Sequence, residues 1–166
     1  MALPMTLKGF TAFVDGFGYL GRLSSATLPK LTIKTDEHKD GGMDIPIELD
    51  VGMEKLEAKL VFSEYAAEVF ATFGRPDVPI TVRGSQETED GLTQAIEAHF
   101  YGLSKEVEAS EWKAGDKADG PTLQLSPRYY RLTIGGRVVV EIDAENMIRN
   151  VDGVDQLAAR RRALGV

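Results

Sequence analysis

Cysteine is absent from this 166-residue chain, and it has only two histidines and one tryptophan. Without thiols there can be no disulfide and no thiolate metal centre, a usage that fits synthesis in a reducing cytoplasm. The fold must then rest on packing, hydrogen bonds and partners. No apolar run is long enough to span a bilayer, so no stable membrane association is expected. The start, Met1-Ala2-Leu3-Pro4-Met5, lacks the basic and then apolar pattern of a secretory signal.

A surplus of positive charge is missing too. Lysine and arginine number 19 against 26 acidic residues, a formal net charge of −7. The imbalance is uneven, because residues 147–166 hold four arginines against two aspartates while the rest is acidic. An acidic body argues against tight phosphate binding, which needs clustered basic side chains, though not against DNA passing nearby.

Catalytic patterns are also lacking. There is no Gly-x-Ser-x-Gly and no P-loop. Gly16-Phe17-Gly18-Tyr19-Leu20-Gly21 matches G-x-G-x-x-G, but no amphipathic helix follows to point its N-terminus at a pyrophosphate. A glycine-rich hairpin turn accounts for it. His38 and His99 have no second ligand at metal spacing. Asp36, Glu37, Asp40 and Asp44 lack the ordered spacing of a calcium loop, which leaves a solvated or partner-facing acidic segment. No enzyme activity, metal or cofactor is expected.

What the chain does have is strand after strand. Phe10 to Val14 alternates and ends at the turn Asp15-Gly16, with Tyr19 to Leu28 as the expected return strand. Leu56, Ala58, Leu60 and Phe62 alternate with Glu57, Lys59 and Val61, giving one buried face. Ser63 is placed to cap a helix over Tyr65–Phe73, where Ala66, Val69, Phe70 and Phe73 fall at helical spacing and Gly74 with Pro76 ends the run. Pro79 to Ser85 and Gln94 to Val107 read as strands, with a bulge or bend at Gly102. Thr122–Ile134 and Val138–Ile142 form a hairpin across Gly135-Gly136, with Pro127 at an edge or bulge. Glu108 to Gly120 reads as a surface loop, with Trp112 packing back or anchoring in a partner. A short helix over Asp155–Leu164 closes the chain at Gly165. With no repeat and no linker, one domain over residues 1–166 is expected, a β-sandwich or barrel with one packed helix.

One stretch does not fit a lone domain. Leu28 to Met53 reads LPKLTIKTDEHKDGGMDIPIELDVGM, a strand-like start, a charged middle and a second alternating run. An extended arm over about residues 29–53 has too little area for a core of its own and should pack on another subunit.

Leu28-Pro29-Lys30-Leu31-Thr32, Gly41-Gly42-Met43-Asp44 and Leu49-Asp50-Val51-Gly52 resemble the major tail tube protein of contractile-tailed, P2-like phages and of R-type tailocins. Tyr129-Tyr130-Arg131-Leu132-Thr133, Gly135-Gly136, Glu141-Ile142-Asp143, Asn146 and Asn150 to Leu157 continue the resemblance in the family's order. It implies a virion structural protein made in the host bacterial cytoplasm. Subunits would form six-membered rings whose strands join into one barrel around a lumen, and the rings would stack into the tube inside a contractile sheath. The implied partners are the chain itself, the sheath, the tape-measure protein, the baseplate and the tail terminator. DNA, or ions in a tailocin, would be passing cargo. A type VI secretion-like tube is a near alternative, and a small β-domain ligand-binding protein or enzyme a more distant one.

Three sets of residues are candidates for such contacts. Asp36, His38, Lys39, Gly41, Gly42, Met43 and Asp44 form the arm's inter-subunit region. Glu57, Lys59, Thr81, Arg83, Ser85, Glu97 and His99 are lumen candidates by strand alternation, with a polar and net acidic lining expected so that a polyanion slides without sticking. Leu157, Arg160, Arg161 and Arg162 are interface candidates at the C-terminus. Three consecutive arginines on a helix point in different directions. They can pair within the subunit, with a neighbour, or with the sheath, and a subunit-to-subunit contact is favoured.

Overall fold

The computed structural model describes residues 3–19, 22–115 and 120–166. Its main sheet runs from β1 (Thr6–Val14) through β7 (Val78–Glu87), β8 (Thr93–Glu108) and β9 (Thr122–Ile134) to β10 (Arg137–Asp143), β11 (Ile148–Val151) and β12 (Val154–Asp155). All these pairs are antiparallel. A second layer comes from β3 (Leu23–Thr27) and β6 (Ala58–Phe62), which join the main sheet along the first half of β9. Among the described residues the helices are α1 (Ala67–Ala71) and α2 (Ala158–Leu164).

Alternation decides what is buried. Ala12, Val14, Ile80, Val82, Ala98, Phe100, Tyr130, Val140 and Ile142 share the inner face of the main sheet. They pack against Ala58, Leu60 and Phe62 of β6 and against Leu123 and Leu125. Each fully buried aliphatic or aromatic side chain stabilises by about 1.5–3 kcal/mol. The sandwich is open rather than a closed barrel, since among the described residues β3 pairs with β6 alone, and β1 meets β7 on one side and two residues of β2 (Phe17–Gly18) on the other.

The expected N-terminal hairpin is therefore a stub. Asp15 and Gly16 both take positive φ, 50° and 87°, in a tight turn, but the return strand pairs for two residues only. The chain then crosses to β6, and β7 takes the long edge of β1 instead. Local alternation cannot rank one strand partner above another. The central helix is also shorter than the spacing predicts. Its N-cap is Ala66 with no side-chain bond, and the Ser63 amide donates to the Arg22 carbonyl rather than Ser63 capping a helix. Ala66 and Val69 reach the core, whereas Phe70 and Phe73 are exposed. The second helix starts at Ala158, because Asp155 is still in a strand, and it ends at Gly165 in the left-handed conformation.

Two expected irregularities are present. Gly135 and Gly136 turn with φ of 59° and 80°. At Gly102 the β8–β9 register shifts opposite Pro127. A Cβ on Gly102 would lie 2.2 Å from the Ser126 carbonyl oxygen and 2.6 Å from Pro127 Cα, both backbone atoms. Gly102→Ala is therefore expected to cost about 1–3 kcal/mol. Urea denaturation checks this, and a midpoint equal to the unsubstituted protein would mean the two strands are not in such close contact.

Candidate assembly surfaces

Residues 29–53 form a hairpin outside the sandwich. Strand β4 (Ile33–His38) pairs with β5 (Ile47–Met53) in a separate two-stranded sheet. Asp36 lies opposite Leu49 and His38 opposite Ile47 on one face, with Glu37 opposite Glu48 on the other. The tip is held by a His38 Nε2–Asp40 Oδ2 contact of 3.0 Å and by the Met43 amide donating to the Asp40 carbonyl. Lys39, Gly41, Gly42 and Asp44 sit in the exposed loop. Leu31, Ile33, Ile45, Ile47, Leu49 and Val51 are all exposed, Ile45 at 69%. Single exposed apolar residues are ordinary, but this many on one thin hairpin mark a surface made to be covered.

The root of the arm is fixed by a contact that its sequence does not announce. A bulge at Val51 lets the Gly52 amide (φ +129°) donate to Asp50 Oδ1 at 2.8 Å. The other carboxylate oxygen takes Arg149 Nη2 at 2.7 Å. Arg149 has a side chain only 10% exposed, on β11, so the arm is pinned to the C-terminal part of the chain. Arg149 holds the Asp50 carboxyl below the usual carboxylate range, with help from the Gly52 amide and Arg160. The clamp lies where the edge of β9 changes partner, from β6 at Thr122–Leu125 to β10 at Tyr129–Ile134. Pro127 sits in that gap, where a missing N–H breaks no ladder.

The polar candidates divide into two groups. Thr81, Arg83, Glu97 and His99 lie side by side on the face of the main sheet opposite the core. Thr81 Oγ1 and His99 Nδ1 are 2.9 Å apart, and Arg83 Nε is 3.2 Å from Glu97 Oε2. The rows continue through Arg131 and Glu141, and Ser85 is next along, opposite Ala95. Arg83 and Arg131 stand on this face against Glu97, Glu141 and Glu87, the last accepting a hydrogen bond from Ser85 Oγ at 3.3 Å. Glu57 and Lys59 are elsewhere: Glu57 is ion-paired with Lys55 and Lys105, and Lys59 lies beside Gln124.

Partial burial, followed by Arg131, pushes the His99 pKa below its ordinary 6.5, against a smaller opposing pull from Glu97. The unfolded chain therefore takes up a proton before the folded one does. Stability from His99 is complete above about pH 6.5 and is lost as pH falls through the lower folded value. The lowered carboxyls of Asp15, Asp50, Glu57 and Asp155 act in the same direction only near and below their ordinary range of about 4. Thermal melting from pH 7 to 5 should show a decline that His99→Gln flattens. Parallel curves for the two proteins would exclude this source.

At the C-terminus the three arginines separate. Arg161 Nη1 donates to the Met147 carbonyl at 2.8 Å and Nη2 lies 2.6 Å from Asp155 Oδ2, within the chain. Arg160 and Arg162 are exposed, and Leu157 is half-buried. Leu157 and Arg160 line one hollow with Met53, Leu56, Pro127 and Arg149, so the arm root and the C-terminal helix share a wall.

A further cluster joins Trp112, expected to pack back or to anchor in a partner, to two rings at the short helical segment. Tyr65 stacks on Phe70 at 5.9 Å, and Trp112 meets Tyr65 edge-on and donates its indole N–H to the Tyr65 hydroxyl at 2.7 Å. Trp112 is 79% exposed and Phe73 64%. The helical spacing that predicts burial for Phe70 and Phe73 gave no sign of this, because the helix is too short to lay both rings on the core.

The profile of the family described as phage tail tube protein FII matches residues 4–165. The chain belongs to this family. Among individual tail tube proteins, that of Escherichia phage P2 is 35% identical over the whole of both chains. The major tail tube protein of Serratia phage KSP20 is 32% identical over 92% of this chain and 91% of its own. The fold also resembles a chain from the sheath–tube complex of the extracellular contractile injection system PVC in its extended state. The TM-score is 0.59 and the identity 13%, over 79% of this chain and 90% of that one. The protein is a structural component of a contractile phage tail tube and not an enzyme. Among its described residues no helix is long and apolar enough to cross a membrane.

Proposed function

We propose that this tail tube protein assembles into hexameric rings that stack into a hollow tube inside the sheath, with the arm as the main inter-subunit element. The observation that carries this is the exposed apolar hairpin. Its leucine, isoleucine and valine side chains are left 41–69% exposed in the subunit, and a family that builds tubes supplies the missing cover as further copies. A heterologous contact that does not close on itself generates a filament, and joining strand edges between subunits hides the open edges of β1 and β3.

The face bearing Thr81, Arg83, Glu97, His99 and Arg131 suits a lumen wall. It is mostly polar, with Phe13 and Val138 its exposed apolar residues, and has no net positive field to hold a polyanion. DNA, or ions in a tailocin, would pass without being bound. The tape-measure protein, baseplate, tail terminator and sheath are partners of the finished tail, and synthesis takes place in the host cytoplasm. Electron microscopy of the purified chain over a range of concentrations tests this reading. Rings or tubes are expected, and a monomer at every concentration would overturn it.

Arg160 and Arg162 supply the salt-dependent part of assembly, since Arg161 is already committed within the chain. Exposed pairs contribute only about 0–1 kcal/mol each but recur in every ring. Replacing Arg160 and Arg162 with glutamine should weaken tube formation at low salt and leave the melting temperature of the subunit unchanged. Arg161→Gln should do the reverse. Equal assembly of both variants across ionic strength would remove these arginines from the interface.

A further inference from the structure

The sandwich has an apolar hollow of about 260 Å³, bordered by the two strands that leave its sheet open, β1 and β3. Leu7 and Phe10 of β1 line one side, Ala26 and Leu28 the other, and Val82 and Ile96 the floor. Leu7 is 55% exposed. A single subunit thus leaves an apolar trough between two strands with unpaired edges, a costly arrangement in water.

We propose that this hollow is the seat for the arm of a second copy of the chain, a refinement that rests on the tube reading above. Ile45, Ile47 and Leu49 of the incoming hairpin would enter the trough. Chemistry matches on three counts. The hollow needs aliphatic side chains, and the arm presents them exposed. The subunit's own arm does not fill it, since Ile47 and Leu49 remain 43% and 45% exposed. Charge is complementary as well: between Ile33 and Glu48 the arm carries five carboxylates against two lysines, and Lys8, next in the chain to the lining residue Leu7, is exposed. Donor and acceptor are different surfaces, so each subunit gives one arm and receives one. That is a heterologous contact, capable of propagating without limit.

The hairpin has the reach for this. Six paired residues at about 3.3 Å each project the tip roughly 20 Å beyond the root. The Arg149–Asp50 clamp at 2.7 Å aims it in a fixed direction. A directed, preordered arm loses less conformational entropy on docking than a loose one.

The absence of cysteine makes the test clean. Leu49→Cys and Leu28→Cys are made in separate chains, mixed, assembled and oxidised. The expected result is a disulfide-linked dimer from the mixture and none from either variant alone. Leu49→Cys mixed with Phe73→Cys should give no dimer. A second measurement does not depend on cysteine. Leu7→Glu, at a position already exposed, should leave the subunit's melting temperature unchanged and reduce tube yield at least tenfold. Tubes that form normally with Leu7→Glu and give no Leu49–Leu28 dimer would overturn the seat while leaving the tube reading intact. A disulfide-linked monomer in the double variant would show the arm folding back on its own hollow, which also overturns it. Failure of the unsubstituted chain to assemble at all would overturn both.

Discussion

Deleting Lys39–Asp44 is expected to leave a folded subunit that no longer forms tubes. The deleted residues lie in the exposed loop of the β4–β5 hairpin and give nothing to the core. Surface changes of that kind alter stability little. Assembly is another matter. Shortening the loop removes the tip and shifts Ile45 and Ile47 relative to β4, so the apolar residues no longer arrive together. An interface repeated in every ring loses its contribution at every ring. Far-ultraviolet circular dichroism and thermal melting should match the full-length subunit, while electron microscopy should show no tubes at concentrations where the full chain forms them. Normal tubes from the deletion variant would mean that the arm tip is not an assembly element.

Phe100→Ala is expected to destabilise the subunit by about 3–5 kcal/mol, enough to unfold a marginal domain. Phe100 is fully buried on β8 and meets Tyr130 edge-on with ring centroids 6.4 Å apart. Burial also drives the Tyr130 phenol up to about 12, the mark of a hydroxyl held away from water. The neighbouring residue is the control. Tyr101 points to the opposite face of the same strand, where it stacks on Tyr129 at 5.1 Å beside the Arg128 guanidinium. Tyr101→Ala should cost only the ring pairing, about 0.5–1.5 kcal/mol. Urea denaturation of the two variants measures the difference. Similar losses would mean that the two sides of β8 are not core and wall, and the lumen assignment of His99 and Glu97 would fall with them.

Much of this follows from alternation and turn chemistry. Leu56 to Phe62 shows its buried face directly, Gly135-Gly136 mark the last hairpin, and Gly102 with Pro127 mark the irregularity between the two longest strands. The arm was legible as well, because its apolar residues flank a charged middle that no small core could use. Those signals lie within a dozen residues, where side-chain period and glycine or proline constraints act. Partner choice does not. Nothing in Tyr19 to Leu28 states that it crosses to β6 and leaves β1 to β7, since either pairing satisfies the same period. Phe70 and Phe73 repeat at helical spacing, yet the helix stops after five residues and leaves both rings in water.

The sequence by itself determined the strand-rich class, the family, the structural role and the presence of an arm. Each of these depends on composition or on local order along the chain. Tertiary structure alone decided that the sandwich stays open between β1 and β3. It also decided that Thr81, Arg83, Glu97 and His99 share one wall while Glu57 and Lys59 do not. It showed that Arg161 is spent inside the subunit while Arg160 and Arg162 face outward, and that Asp50 is clamped by Arg149, 99 positions away. The physical reason is the same in each case: these facts are distances between residues remote in sequence, fixed by which strands pair and where the sheet bends.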